Sequence, residues 1–226
     1  MFRYLIIVLS LHFASPAMEV EVDKTCQFLL QEFIELPDTT AIFTLSIAAP
    51  EVIRYRELSN LMEVQALRLM YAELGSAKVD FSVGYFQMKP SFIEELERRL
   101  TCDSVLSSAY PELIRYEQST PAEIREARID RILDKCTSWQ YLQAFRDLIY
   151  HEHQEWLNCI STTEQLRFIA TAYNLGFGFN SKEILSYQQQ QHFPYGSGFQ
   201  GEQYAFGTLS VRIYDQLNIM LCASNF

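Results

Sequence analysis

Two near-copies of one hexapeptide, PEVIRY at Pro50 to Tyr55 and PELIRY at Pro111 to Tyr116, each carry a single carboxyl group that could serve as an acid. A carboxyl donates a proton at neutral pH only where its surroundings disfavour the charged form, and an apolar setting does so by withholding water. The first copy has that setting. Nearly every residue from Ala41 to Val52 is small or apolar, so the Glu51 carboxyl is expected to be desolvated. The second copy follows Ser107-Ser108 and precedes a Ser-Thr-Pro linker, which makes Glu112 a surface residue of an ordinary amphipathic helix. Glu73 competes with Glu51, because it ends a helical stretch just before the loop DFSVGYFQMKPSF (80–92); Glu63 is a more remote third. That loop, and the tail from Asn174 to Phe206, combine Gly with aromatics. Such loops let backbone approach a ligand and aromatic faces stack on it.

Helices must position these groups. Gly and Pro are sparse before residue 175, and apolar residues recur at three- and four-residue spacing. The pattern predicts helices near 22–35, 39–56, 58–74, 90–101, 104–117, 121–135, 137–157, 162–174, 181–190 and 204–221. Pro37-Asp38-Thr39-Thr40 and Ser119-Thr120-Pro121 supply cap and first-turn chemistry. Extended pieces fit only around Val79 to Met88 and Phe193 to Phe199. The fold class is therefore mostly α. A chain of 226 residues with 49% hydrophobic and 20% charged residues can bury one large core.

The first residues, MFRYLIIVLSLHFASPAM, place one Arg before an apolar run and end in small residues, the pattern of a secretory leader cleaved after Ala17. The apolar run is too short to span a bilayer, and no second run of membrane length follows. The expectation is an exported chain, periplasmic or extracellular, with residues 18–226 forming one domain and no integral membrane segment. A formal charge of −10 argues against nucleic acid as a partner, since phosphate binding needs a basic face. Five cysteines, none in a C-x-x-C pair, give no zinc or redox motif, and in an exported chain allow up to two disulfides. His151-Glu152-His153 looks metal-like, but residues two apart diverge on a helix, so no metal or cofactor is expected.

A family resemblance enters with three segments. Gly84-Tyr85-Phe86-Gln87-Met88-Lys89-Pro90 resembles the Gly-Leu-Met-Gln-x-x-Pro segment of the lytic transglycosylase and goose-type lysozyme superfamily. Ala172-Tyr173-Asn174-x-Gly176 resembles its Ala-Tyr-Asn-Ala-Gly. The PYG at 194–196 followed by Glu202-Gln203-Tyr204 is similar to its closing Pro-Tyr-x-Glu-Thr-x-x-Tyr, with a longer insert. The segments span roughly residues 40–220, and 93–160 carry no matching motif.

The resemblance implies a lysozyme-like helical domain with short extended segments in its active-site loop, acting on peptidoglycan or a related aminosugar polymer. One Glu, at a helix end upstream of the Gly-x-x-Gln loop, protonates the glycosidic oxygen; its carboxylate then assists attack by the sugar's own hydroxyl, giving an anhydro product. Ser46-Ile47-Ala48-Ala49-Pro50-Glu51 is similar to the family's Ile-Ala-x-x-Glu, which favours Glu51 over Glu73 as the catalytic residue. A true acid should face Gln87 and Tyr173 across a groove. Gln87 would orient the substrate, Tyr173 and Asn174 would form the floor, and Ser82, Tyr85 and Phe86 would line the cleft. Asp80 is a possible second carboxylate, as paired-carboxyl hydrolases require, or else the cap of a turn. Val52 stands where the family often has Ser, and Tyr-Phe replaces Leu-Met before the Gln. The rival expectation is a noncatalytic glycan-binding or scaffold protein in a lysozyme-like shell.

Overall fold

The computed structural model describes residues 16–33, 39–58, 61–193 and 202–224. Twelve helices form among them: α1 (Pro16–Phe33), α2 (Thr39–Leu58), α3 (Leu61–Leu74), α4 (Pro90–Cys102), α5 (Ser104–Ala109), α6 (Pro111–Ile114), α7 (Pro121–Leu133), α8 (Lys135–Glu152), α9 (Gln154–Leu157), α10 (Thr162–Leu175), α11 (Ser181–Tyr187) and α12 (Phe206–Ser224). The mostly α class is what the periodicity predicts. Two isolated antiparallel bridges, Val83 with Met88 and Phe193 with Tyr204, are the extended pairings among the described residues. The leader expectation rests largely on residues 1–15, and the PYG of 194–196 falls in 194–201; both lie outside the described residues.

α2 is the central helix. Its sequence is apolar on every side, which suits a helix enclosed all round. From Ala41 to Ile53 each side chain but that of Phe43 is buried, and α1, α8, α10 and α12 pack around it. Pro50 lies within α2 and has no N–H to offer the Ser46 carbonyl, so the helical ladder loses a rung just before Glu51. The Ser46 hydroxyl in turn donates to the Ile42 carbonyl at 2.7 Å.

Two predicted helices are divided. The 104–117 stretch breaks at Tyr110, because Pro111 opens α6 as its first residue and cannot continue α5. The 137–157 stretch breaks at His153, the C-cap of α8. Polar caps fix other starts: Thr120 and Glu123 form a reciprocal capping box on α7, and Asp103 accepts from the Val105 and Leu106 amides of α5.

α3, which separates Glu51 from the loop in sequence, docks on α7. Arg68 pairs with Asp130 at 2.8 Å, and Arg125 Nη1 donates to the Ala72 carbonyl at 2.5 Å. A buried polar cluster then ties α3, α4, α7 and α8 together. Glu97 Oε2 receives Arg128 Nε at 3.0 Å and Nη2 at 2.8 Å, while its Oε1 receives the hydroxyls of Tyr116 at 2.5 Å and Tyr141 at 2.6 Å. Arg128 Nη1 donates to Tyr71 Oη at 2.8 Å, and that hydroxyl donates to Glu94 at 2.8 Å. Burial, and the negative charge of Glu97 after it, push the Tyr116 phenol up to about 12. Every member is matched, as a buried charge must be. This cluster fixes α4, one wall of the cleft described next.

No disulfide forms among the described residues; all five cysteines are free. None of the described helices is long and apolar enough to cross a membrane.

Candidate active site

Glu51 from α2, Ser82 and Gln87 from the loop between α3 and α4, and Tyr173 and Asn174 from the end of α10 line one cleft of about 460 Å³. Glu51 is only 7% exposed, although it opens on this hollow. Its enclosure follows from the apolar run before it, which makes α2 a core helix.

The loop is a tight hairpin. Val83 and Met88 exchange two backbone bonds of 3.0 Å, and the Gln87 amide N–H donates to the Gly84 carbonyl at 3.1 Å. Gln87 itself has φ +52, a left-handed conformation that non-glycine residues seldom adopt and that clusters at functional sites. Its Nε2 donates to the Gly84 carbonyl at 3.0 Å, which anchors the side chain at the turn. Gly84, at φ +73, is needed for a different reason from the one its setting suggests. A Cβ there would stand 2.4 Å from the Ile132 carbonyl of α7, so the glycine admits a protein backbone and not a ligand.

Tyr173 joins α10 to this loop: its hydroxyl donates to the Phe86 carbonyl at 2.7 Å. Its ring lies edge-on to Phe92 and Phe145, each centroid 5.3 Å away. Burial, and the negative charge of nearby Glu51 after it, hold the phenol well above its ordinary range. Tyr173 is therefore a fixed neutral phenol near Glu51, with its proton committed to the Phe86 carbonyl.

Asp80 and Glu95 also line the cleft. Asp80 accepts from the Ser91 N–H at 3.0 Å and the Ser91 hydroxyl at 2.8 Å, and so caps the first turn of α4. Glu95 accepts from Arg98 at 2.7 Å through two nitrogens and from Arg99 at 2.8 Å. The Arg98 bond, aided by Arg99, pulls its carboxyl down to about 2 against the cost of partial burial.

Three expected site residues lie elsewhere. Glu73 is exposed on α3 and does not line the cleft, because α3 turns its neighbours toward α7. Tyr85 projects to α1, stacked with Phe28 at 6.4 Å and edge-on to Phe33 at 6.0 Å. Phe86, expected to line the cleft, is 1% exposed and packs against Phe33 and Trp139; only its carbonyl serves the site. Glu112 is exposed on the single turn of α6. The side chain of Glu63 lies outside the described residues.

Phe92, Glu95 and Phe177 complete the walls, and sequence reasoning missed them. A signal for the first two exists. Ile93, Leu96 and Leu100 mark the buried face of α4 at helical spacing, so Phe92, Glu95 and Arg99 form a parallel stripe one residue away. A larger, more apolar hollow of about 620 Å³ lies at the start of α2 among Phe43, Val105, Ile169 and Tyr214. Its carboxylate, Asp147, pairs with Arg146 at 2.6 Å and accepts from the Tyr110 hydroxyl at 2.5 Å.

No protein-family model matches this chain, and neither a curated protein nor a solved structure does.

Proposed function

We propose that this protein is an exported glycosidase of the lytic transglycosylase type, cleaving the β-1,4 bond between aminosugars of peptidoglycan or a related polymer with Glu51 as its single general acid and base. The observation that carries this reading is Glu51 itself: a carboxyl on the core helix α2, 7% exposed, opening on a cleft that also presents Gln87, Tyr173 and Asn174. Protonation of the glycosidic oxygen breaks the bond to the leaving sugar, and the carboxylate so formed accepts the proton of the sugar hydroxyl that closes the anhydro ring. Two further carboxylates line the cleft, Glu95 paired with Arg98 and Arg99 and Asp80 bonded to Ser91, and a two-carboxylate hydrolysis would draw on one of them; the resemblance, in which one Glu suffices, supports transglycosylation. The leader-like sequence of residues 1–17 supports export.

The test is digestion of purified peptidoglycan sacculi by wild type and by Glu51→Gln, with fold checked by circular dichroism and products by mass spectrometry. Wild type is expected to release anhydro sugars and Glu51→Gln to lose activity at least 100-fold, in line with roughly 10²–10⁴-fold for a general acid. Equal digestion by the variant removes Glu51 from the mechanism, and products heavier by one water make the enzyme a hydrolase. No digestion by wild type supports the noncatalytic glycan-binding reading.

A further inference from the structure

Beyond the cleft lies a second hollow of about 260 Å³, and the two are lined in common by Gly176 and Phe177. Phe177 is the partition. Its ring rests on Phe92 at 4.8 Å and on Phe145 at 5.6 Å, and the Arg99 guanidinium covers it at 5.0 Å from the centroid. Arg99 is in turn held between Glu95 at 2.8 Å and Glu152 at 2.6 Å, so charge on both sides of the partition converges on this ring. The chain carrying Phe177 is built differently from its surroundings. Gly176 and Gly178 flank it at φ +84 and φ +96, and a Cβ at either would meet nothing within 4 Å. Glycine is thus required there by backbone conformation, while open space surrounds the segment.

The far hollow has the make-up of a sugar site. Phe179, 41% exposed, offers an aromatic face; Glu152, His153 and Asn180 line it too, each with one polar atom bonded internally, Glu152 Oε1 to Arg99, His153 Nδ1 to the Ser181 hydroxyl and Asn180 Oδ1 to amides in the first turn of α11. Its volume falls just under the range of about 300–1,000 Å³ for pockets that take a whole drug-sized ligand, which leaves room for about one ring.

We propose that Phe177 is a specificity-determining residue that ends the sugar-binding groove, and that the hollow behind it is a further sugar subsite closed off by this one ring. The inference rests on the reading of the cleft as a glycan site and adds to it what limits the length of chain held. Removing the ring joins the two hollows into one groove along α10 and the 176–180 segment.

Binding of chito-oligosaccharides of two to six units tests it, measured by isothermal titration calorimetry on the full chain carrying Glu51→Gln so that nothing is cleaved. In that background affinity is expected to rise with length and level off. Adding Phe177→Ala moves the plateau to a longer oligosaccharide, with about tenfold tighter binding for the added sugar, equivalent to about 1.4 kcal/mol. Phe177→Leu, which keeps apolar cover on Phe92 and Phe145, guards against a folding artefact and is expected to leave the plateau near its original length. An unchanged plateau in the folded Phe177→Ala variant overturns the inference and leaves the glycan reading standing. No binding of any oligosaccharide by the folded Glu51→Gln protein overturns both.

Discussion

Gly84→Ala perturbs the site without touching any of its polar groups. At φ +73 an alanine sits in the left-handed region, at a cost of roughly 1–2 kcal/mol. Its Cβ would also stand 2.4 Å from the Ile132 carbonyl and 3.2 Å from the attached carbon. These are backbone atoms of α7 that cannot rotate aside, so the hairpin or the helix must move; forced overpacking of this kind costs about 1–3 kcal/mol more. The combined loss is about 2–5 kcal/mol. For a chain of this size about 2–4 °C of melting temperature goes with each kcal/mol, so a fall of roughly 4–20 °C is expected in thermal unfolding followed by circular dichroism. Gly178→Ala is the matched control, since its φ of +96 imposes a backbone penalty while a Cβ there meets nothing within 4 Å. The displaced hairpin should also weaken any ligand held by Gln87, whereas Gly178→Ala leaves the hairpin in place. If urea or thermal unfolding shows Gly84→Ala losing no more than Gly178→Ala, the close approach to Ile132 is not what demands glycine, and the reasoning fails.

Glu97→Ala strips Arg128 of its buried carboxylate and leaves the hydroxyls of Tyr116 and Tyr141 without their acceptor; a loss of about 3–5 kcal/mol in urea unfolding is expected, and a loss below about 1 kcal/mol would show the cluster to be incidental. The Glu95 carboxyl lies at about 2 in the folded chain against an ordinary 4.5, so between those values the unfolded chain binds more protons. Its contribution is therefore complete above pH 4.5 and is lost as pH falls through 2. Melting temperature should decline less steeply over that window in Arg98→Ala/Arg99→Ala than in wild type, and parallel declines would refute the assignment.

Much of this was legible in the sequence where one local signal decided the outcome. The core helix α2 could be read from its unbroken apolar run, and with it the enclosure of Glu51. The start of α7 followed from Pro121 beside the Thr120 cap. Tyr110 illustrates the opposite case: apolar spacing runs through it without interruption, so periodicity joined α5 to α6, and the steric demand of Pro111 won. The site divides in the same way. Gln87, Tyr173 and Asn174 sat in motifs recognisable one at a time. Tyr85 shared such a motif, yet the hairpin turned it toward α1, because the direction of a side chain in a tight turn is set by φ and ψ values that residue types do not report. Phe177 had no motif, and its importance depends on Arg99 and Phe92, which reach it only through the tertiary packing of α4.

The bond from Tyr173 to the Phe86 carbonyl spans 87 residues of sequence, and it gives the cleft a place in time. During synthesis Glu51 emerges first, the hairpin next, and α10 last, so a growing chain carries Glu51 without the α10 side of its cleft until α10 has been made. At about 5–20 residues per second that interval lasts on the order of ten seconds. Throughout it the apolar flanks that α10 and α12 will cover on α2 stand open to other chains. A molecule able to occupy the finished cleft would accordingly count only fully folded copies, and a chain ending short of Tyr173 would lack the α10 side of the cleft and be prone to self-association.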